Sequence, residues 1–220
     1  MTRPIAVLRP EPGNRVTAAA IEAAGRIAIR LPLFETRSVA WAAPDPARFD
    51  SVILTSANAI RHGGAHLDRL LGLPVHAVGE VTAEAARRYG MGVVAVGDSG
   101  AAMLLERAEA AGVRRALHLA GRDRSIAEGG IVAAVVTVYS SDALPIAHVM
   151  AERLNGSVAM VQSARAAARL RELALDRSTV MLAAISSAVA EAAGSGWERV
   201  KTPAAASTEA LIGTAFALAD

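Results

Sequence analysis

The sequence predicts an α/β protein of two similar lobes, each a five-stranded parallel sheet flanked by helices, joined by a two-stranded ladder. Three observations carry that prediction. Short β-branched runs alternate with alanine-rich stretches of helical length along the whole 220-residue chain. Ten such runs are more than one twisted open sheet comfortably holds. A block of the first half returns in the second at a fixed offset.

The expected strands, in order, are Ile5–Leu8, Ile27–Leu31, Ser51–Thr55, Val75–Val78, Val93–Val96, Ala116–Leu119, Val135–Tyr139, Val158–Gln162, Val180–Ala183 and Arg199–Lys201. Most gaps hold a helical pattern, such as Val81–Tyr89 or Ala101–Ala111. Strand, helix, strand in series is the pattern of a parallel sheet with right-handed crossovers.

The repeat fixes the wiring. Val52-Ile-Leu-Thr-Ser56-Ala-Asn-Ala resembles Ala159-Met-Val-Gln-Ser163-Ala-Arg-Ala, and Ala77-Val-Gly79-Glu-Val-Thr-Ala-Glu-Ala-Ala86 resembles Ala184-Ile-Ser186-Ser-Ala-Val-Ala-Glu-Ala-Ala193. Ser163 lies 107 residues after Ser56, and Ser186 lies 107 after Gly79. Leu211 follows Leu104 by the same interval. The second copy runs to the end of the chain, so its two missing strands must be the first two. One lobe is therefore expected to combine residues 1–37 with 139–220, and the other to be the inserted stretch 38–138. Two crossings, near Leu33–Trp41 and Tyr139–Leu144, imply paired strands with a cleft between the lobes.

Composition narrows the class. Hydrophobic residues make up 53% and aromatics 3%, so the cores are built of Ala, Val, Leu and Ile. No apolar run approaches the ~20 residues of a membrane span. Met-Thr-Arg-Pro leads straight into a strand pattern, from which a cytoplasmic protein without a signal peptide is expected. The absence of cysteine excludes disulfides and thiolate metal sites. The net charge is +2, and Lys201 is the single lysine among 23 basic residues. Arginine is the better fork for carboxylates and phosphates, although coding bias toward Ala and Arg gives the same composition. The arginines form no basic run with interleaved aromatics, so no nucleic-acid partner is expected.

In open parallel sheets ligands collect at the carboxyl ends of the strands, near free helix N–H groups. Those ends read Arg9-Pro10, Thr55-Ser56-Ala57-Asn58, Gly79-Glu80, Gly97-Asp98-Ser99-Gly100, Gly121-Arg122-Asp123-Arg124, Ser163-Ala164-Arg165 and Ser186-Ser187. Small, hydroxyl-bearing and arginine residues suit an anionic ligand, and each serine read singly is equally a helix cap. Dinucleotide, P-loop and Gly-x-Ser-x-Gly fingerprints are missing. His62 and His66 are four apart, but Gly63-Gly64 between them disfavours the helix a metal clamp needs. A site without cofactor or metal is the simplest expectation. Tyr139, at a lobe crossing, is either a donor into the cleft or a hinge-packing aromatic.

Taken together in order, several of these segments resemble the uroporphyrinogen-III synthase family. They are Val7-Leu-Arg-Pro10-x-Pro-Gly13, Leu54-Thr-Ser-Ala-Asn-Ala59, Ala77-Val-Gly79-x-x-Thr82-Ala, Leu119-Ala-Gly-Arg122, Val138-Tyr139, Val161-Gln-Ser163 and Ser207-Thr-Glu-Ala-Leu211. The resemblance covers essentially the whole chain. It departs from the family pattern at Leu8, where Thr is usual, and at Ser186-Ser-Ala-Val-Ala190, where Gly-Pro-Thr-Thr-Ala is frequent. The resemblance implies cyclodehydration of the linear tetrapyrrole hydroxymethylbilane to uroporphyrinogen III, with ring D inverted through azafulvene and spiro intermediates. It further implies Tyr139 as donor to the leaving hydroxyl. Arg9, Pro10, Thr55, Ser56, Asn58, Gly79, Thr82, Arg122, Ser163, Arg165, Ser186 and Ser187 are then expected to bind substrate. A monomer is the default expectation, and a transient contact with the upstream deaminase is left open. The competing readings are a non-enzymatic two-lobed binding protein and a degenerate homologue with a regulatory role.

Overall fold

The computed structural model describes residues 2–97 and 100–220. In chain order its elements are β1 (Ile5–Val7), α1 (Gly13–Ala23), β2 (Ala28–Arg30), β3 (Phe34–Ser38), β4 (Ser51–Leu54), α2 (Asn58–Gly63), β5 (Val75–Val78), α3 (Glu80–Tyr89), β6 (Val93–Gly97) and α4 (Ala101–Ala110). There follow β7 (Ala116–Gly121), β8 (Val132–Ala143), α5 (His148–Glu152), β9 (Val158–Val161), α6 (Ala164–Glu172), β10 (Met181–Ala184), α7 (Ser187–Ala193), β11 (Arg199–Lys201) and α8 (Thr208–Ala219). The chain divides into two compact units, one of Met1–Glu35 with Asp142–Asp220 and one of Thr36–Ser141.

The first unit holds a parallel sheet ordered β11-β10-β9-β1-β2. Ile5 pairs with Val158 on one side and Ala28 on the other, so strands from both ends of the chain lie side by side. Parallel sheets are stable only with both faces covered, and the β1 side chains alternate accordingly. Ile5 and Val7 pack with Ala18 and Ile21 of α1 and Leu211 and Ala215 of α8. Ala6 and Leu8 face the other way, against Ala167 and Leu170 of α6 and Val189 of α7. Each fully buried Leu or Ile contributes roughly 1.5–3 kcal/mol, which lets strands of three or four residues hold their place.

The sheet of the second unit is ordered β3-β8-β7-β4-β5-β6. The five-stranded expectation for this sheet is corrected to six, and the all-parallel expectation to mixed. β8 is 12 residues long and outruns its partner β7, leaving an edge that takes β3. The amide of Val39 donates to Val138 and that of Leu144 to Leu33. One number rises as the other falls, so this pair is antiparallel. Val52, Leu54, Leu117 and Leu119 pack beneath α2 and α3, while Ile53 packs with Leu104 and Ala108 of α4.

The two sheets repeat one plan. β4, β5 and β6 occupy the places of β9, β10 and β11, and the equivalent residues Leu104 and Leu211 are both fully buried. No helix among the described residues is long and apolar enough to cross a membrane. Asp98 and Ser99, read from sequence as a strand end and cap, lie outside the described residues.

His76 and His118 both pair with Ile53 across the strands and so share its face under α4. His118 is 1% exposed. Burial, and secondarily the Arg124 cation, lowers its pKa to about 4. The unfolded chain protonates the same ring near 6.5. Below that pH the unfolded state takes up a proton that the folded state refuses, so stability falls as pH drops from ~6.5 toward 4, by on the order of 3 kcal/mol over the full span. The urea midpoint is therefore expected to drop between pH 7 and 4.5, and to drop less in His118→Gln. Equal drops in both proteins would refute this account.

Candidate functional site

The carboxyl end of β7 meets β8 in a tight arrangement at Tyr139. Gly121 and Tyr139 are cross-strand partners of β7 and β8, and the Arg122 amide donates to the Tyr139 carbonyl at 2.9 Å. The phenol ring lies across Gly121. A Cβ there would stand 2.7 Å from Tyr139 Cζ and 3.0 Å from its hydroxyl oxygen, so glycine alone allows this approach. The ring is half-buried, and its hydroxyl has no hydrogen-bond partner among the described residues. It stacks on His62, with ring centroids 6.0 Å apart and an interplanar angle of 26°.

The other expected residues of the second unit take distinct roles. Ser56 Oγ accepts from the Asn58 amide at 3.2 Å, and the Asn58 side-chain oxygen accepts from Arg61 at 3.0 Å. Thr55 is half-buried with its hydroxyl 3.3 Å from His118 Nε2, so it braces the sheet end as well as facing outward. Gly79 starts α3 at φ 74°, a left-handed conformation that glycine adopts without strain. Thr82 is 5% exposed and sits among the core-facing residues of α3. Arg122 is exposed at the end of β7.

In the first unit, Ser163 caps α6 by accepting from the Ala166 amide at 3.2 Å. Ser186 caps α7 through the Val189 amide at 3.4 Å. Ser187, read as a cap in its own right, is instead the exposed first residue of α7, because Ser186 already fills that position. A hydroxyl that caps accepts with its oxygen and still has its proton to donate. These serines can therefore bind an anion without releasing the helix. Arg165 lies over the Phe34 ring at 4.4 Å. Arg9 donates toward Thr17 and Thr208 at 3.5 and 3.4 Å, and Gln162 donates to Thr208 at 3.0 Å. Pro10 is half-buried beside it.

The sequence reading missed Thr208, Gln162 and His62. Thr208 and Gln162 lie inside segments quoted for the family resemblance, so only their pairing with each other was hidden. His62 and His66 turn to different neighbours: His62 to Tyr139, and His66 edge-on to Trp41 at 5.4 Å. No cluster of three or more metal-binding side chains occurs among the described residues.

A family model described as uroporphyrinogen-III synthase HemD matches residues 15–213. A crystal structure of uroporphyrinogen-III synthetase from Helicobacter pylori aligns over 99% of this chain and 100% of that one, with TM-score 0.69 and 18% identity. A mutant uroporphyrinogen III synthase from the extremely thermophilic bacterium Thermus thermophilus aligns over 98% of each chain, with TM-score 0.54 and 17% identity. At such identities these likenesses speak for the fold. No curated protein sequence is significantly similar to the chain.

Gly121→Ala is expected to push the phenol off its seat, because the new methyl collides with the ring and the strand pairing leaves the backbone little room to yield. A destabilisation of about 1–3 kcal/mol follows from such overpacking. Thermal melting checks it, and a melting temperature equal to wild type would contradict the close approach.

Proposed function

The chain belongs to the uroporphyrinogen-III synthase family, the cyclising lyases of tetrapyrrole (haem) biosynthesis, and from that premise we propose how its own residues close hydroxymethylbilane to uroporphyrinogen III. The observation that carries the proposal is Tyr139: a half-buried phenol whose hydroxyl is uncommitted among the described residues, at strand ends rich in hydroxyls and arginines.

The substrate is a flexible polycarboxylate, and arginine forks and helix-start donors are suited to its acetate and propionate arms. Arg9, Arg122 and Arg165 are assigned to carboxylates. Ser56, Asn58, Ser163, Ser186 and Ser187 are assigned as polar donors, with Pro10, Thr55, Gly79 and Thr82 shaping the surfaces that carry them. Residues 1–37 with 139–220, and residues 38–138, act in this reading as two similar lobes, with β3 and β8 as the ladder that joins them.

Tyr139 donates a hydrogen bond to the substrate's terminal hydroxyl. The carbon–oxygen bond breaks as the pyrrole N–H of the same ring gives up its proton, the departing hydroxide and that proton leave as water, and an electrophilic azafulvene remains. Left free, that intermediate closes to the uninverted isomer. Held folded, the substituted carbon of ring D attacks it, forming a spiro intermediate. Ring D then detaches from its old neighbour and rejoins through the other carbon, which inverts it. Net loss is one water, so the protein's contribution is mostly positioning, with modest help to the leaving group. The same reading places the reaction in the cytoplasm and allows a transient contact with the deaminase that supplies the substrate.

Freshly prepared hydroxymethylbilane should yield uroporphyrinogen III in the presence of this protein. Isomer I alone, at the uncatalysed rate, would sink the proposal. Tyr139→Phe should lower kcat about tenfold or more, the cost of one hydrogen bond to developing charge, while thermal melting stays near wild type. Unchanged kinetics would reduce Tyr139 to packing.

A further inference from the structure

We propose that His62 is a positioning residue for Tyr139, holding the phenol in one orientation through a stack that strand β3 anchors. The inference rests on the reading of Tyr139 as donor.

The last turn of α2 carries His62 to the side of the ladder where Tyr139 sits. Both ring nitrogens are occupied: Nε2 lies 2.9 Å from Thr36 Oγ1 and Nδ1 3.3 Å from Ser38 Oγ. Thr36 and Ser38 are alternate residues of β3 and so share a face. An imidazole held at both nitrogens cannot spin about its ring axis, and its flat side is what Tyr139 meets. Burial first, and the neighbouring Arg61 cation second, holds the His62 pKa below its ordinary value. That shift favours the neutral ring, which presents one N–H donor and one acceptor to two hydroxyls that can each play either part.

The helix end bearing His62 is itself tied down. Trp41 Nε1 donates to the Gly63 carbonyl at 2.9 Å, just past β3. Strand β3 therefore fixes the ring, and the segment just past it fixes the helix end that bears it. Gly121, for its part, leaves out the Cβ that would displace the phenol. Among the described residues no hydrogen bond sets the direction of the Tyr139 hydroxyl, so packing must do so, and His62 is the aromatic neighbour that supplies it.

The experiment is a double-mutant cycle on the purified full chain, reading kcat, KM and the isomer ratio with hydroxymethylbilane as substrate. His62→Ala is expected to lower kcat severalfold with little change in KM, and His62→Phe, which keeps a flat ring, to recover part of that loss. The pair Thr36→Val with Ser38→Ala, which leaves His62 in place but frees it, should lower kcat in the same direction. His62→Ala combined with Tyr139→Phe should lose no more than Tyr139→Phe alone, because His62 acts through that hydroxyl. Wild-type kcat in His62→Ala, or losses that multiply in the double variant, would overturn the inference while leaving the role of Tyr139 intact. Wild-type kcat in Tyr139→Phe would instead remove the reading on which it rests.

Discussion

The pairing of β1 with β9, Ile5 against Val158, is the contact around which the first unit is arranged. Without it, β1 and β2 would have no sheet to join, and β9 would expose one edge of a strand whose residues are all buried. The apolar alternation in β1 is consistent with this central place, since its side chains supply both faces of the sheet at once. The helices α1, α6, α7 and α8 then have surfaces to cover, and the serines that begin α6 and α7 are brought to the strand ends. A sheet buried on both faces leaves its chemistry at its rims.

How much of this the sequence discloses depends on where the determining contacts lie. Most of the ten expected strands are readable because they are short runs of Val, Ile, Leu or Ala, whereas β11, Arg-Val-Lys, is exposed at every residue. The sorting of strands between two sheets is readable because the repeat leaves the second copy two strands short. β3 is readable from the wiring, which asks for paired strands at the two crossings, but not from its own residues: Phe-Glu-Thr-Arg-Ser carries one large apolar residue and two charges. It is a strand because β8 runs on past β7 and offers an edge, a fact of another segment. The same holds at the candidate site. Ser163 and Ser186 announce themselves as the small polar residues between a strand and a helix. His62 does not, since its significance comes from β3 and β8, and the Gly63-Gly64 that follows it reads only as a helix stop.

The electrostatics of the site follow from the same economy. Backbone and hydroxyl donors at helix starts carry partial positive charge without the desolvation cost of a buried cation. Arginines can then stay at the surface: Arg122 and Arg165 are exposed, and Arg165 rests its guanidinium on an aromatic face rather than within the core. The buried histidines show the converse. His118 stays neutral under the sheet, where a charge would have no solvent to support it.

The antiparallel neighbours β3 and β8 have a further consequence, in the order of assembly. Leu33 and Leu144 are joined by a 2.9 Å hydrogen bond although more than a hundred positions separate them along the chain. Residues 36–141 contain all the strands of their own sheet core, so this stretch can fold during synthesis while β9 to β11 are still being made. Once it has, the ladder holds its two ends together, and the entropy of closing the long loop has already been met. β1, the earliest strand to emerge, then meets β9 across the 28 positions from Ile5 to Leu33 and the 14 from Leu144 to Val158, rather than the 153 that separate Ile5 from Val158 along the chain.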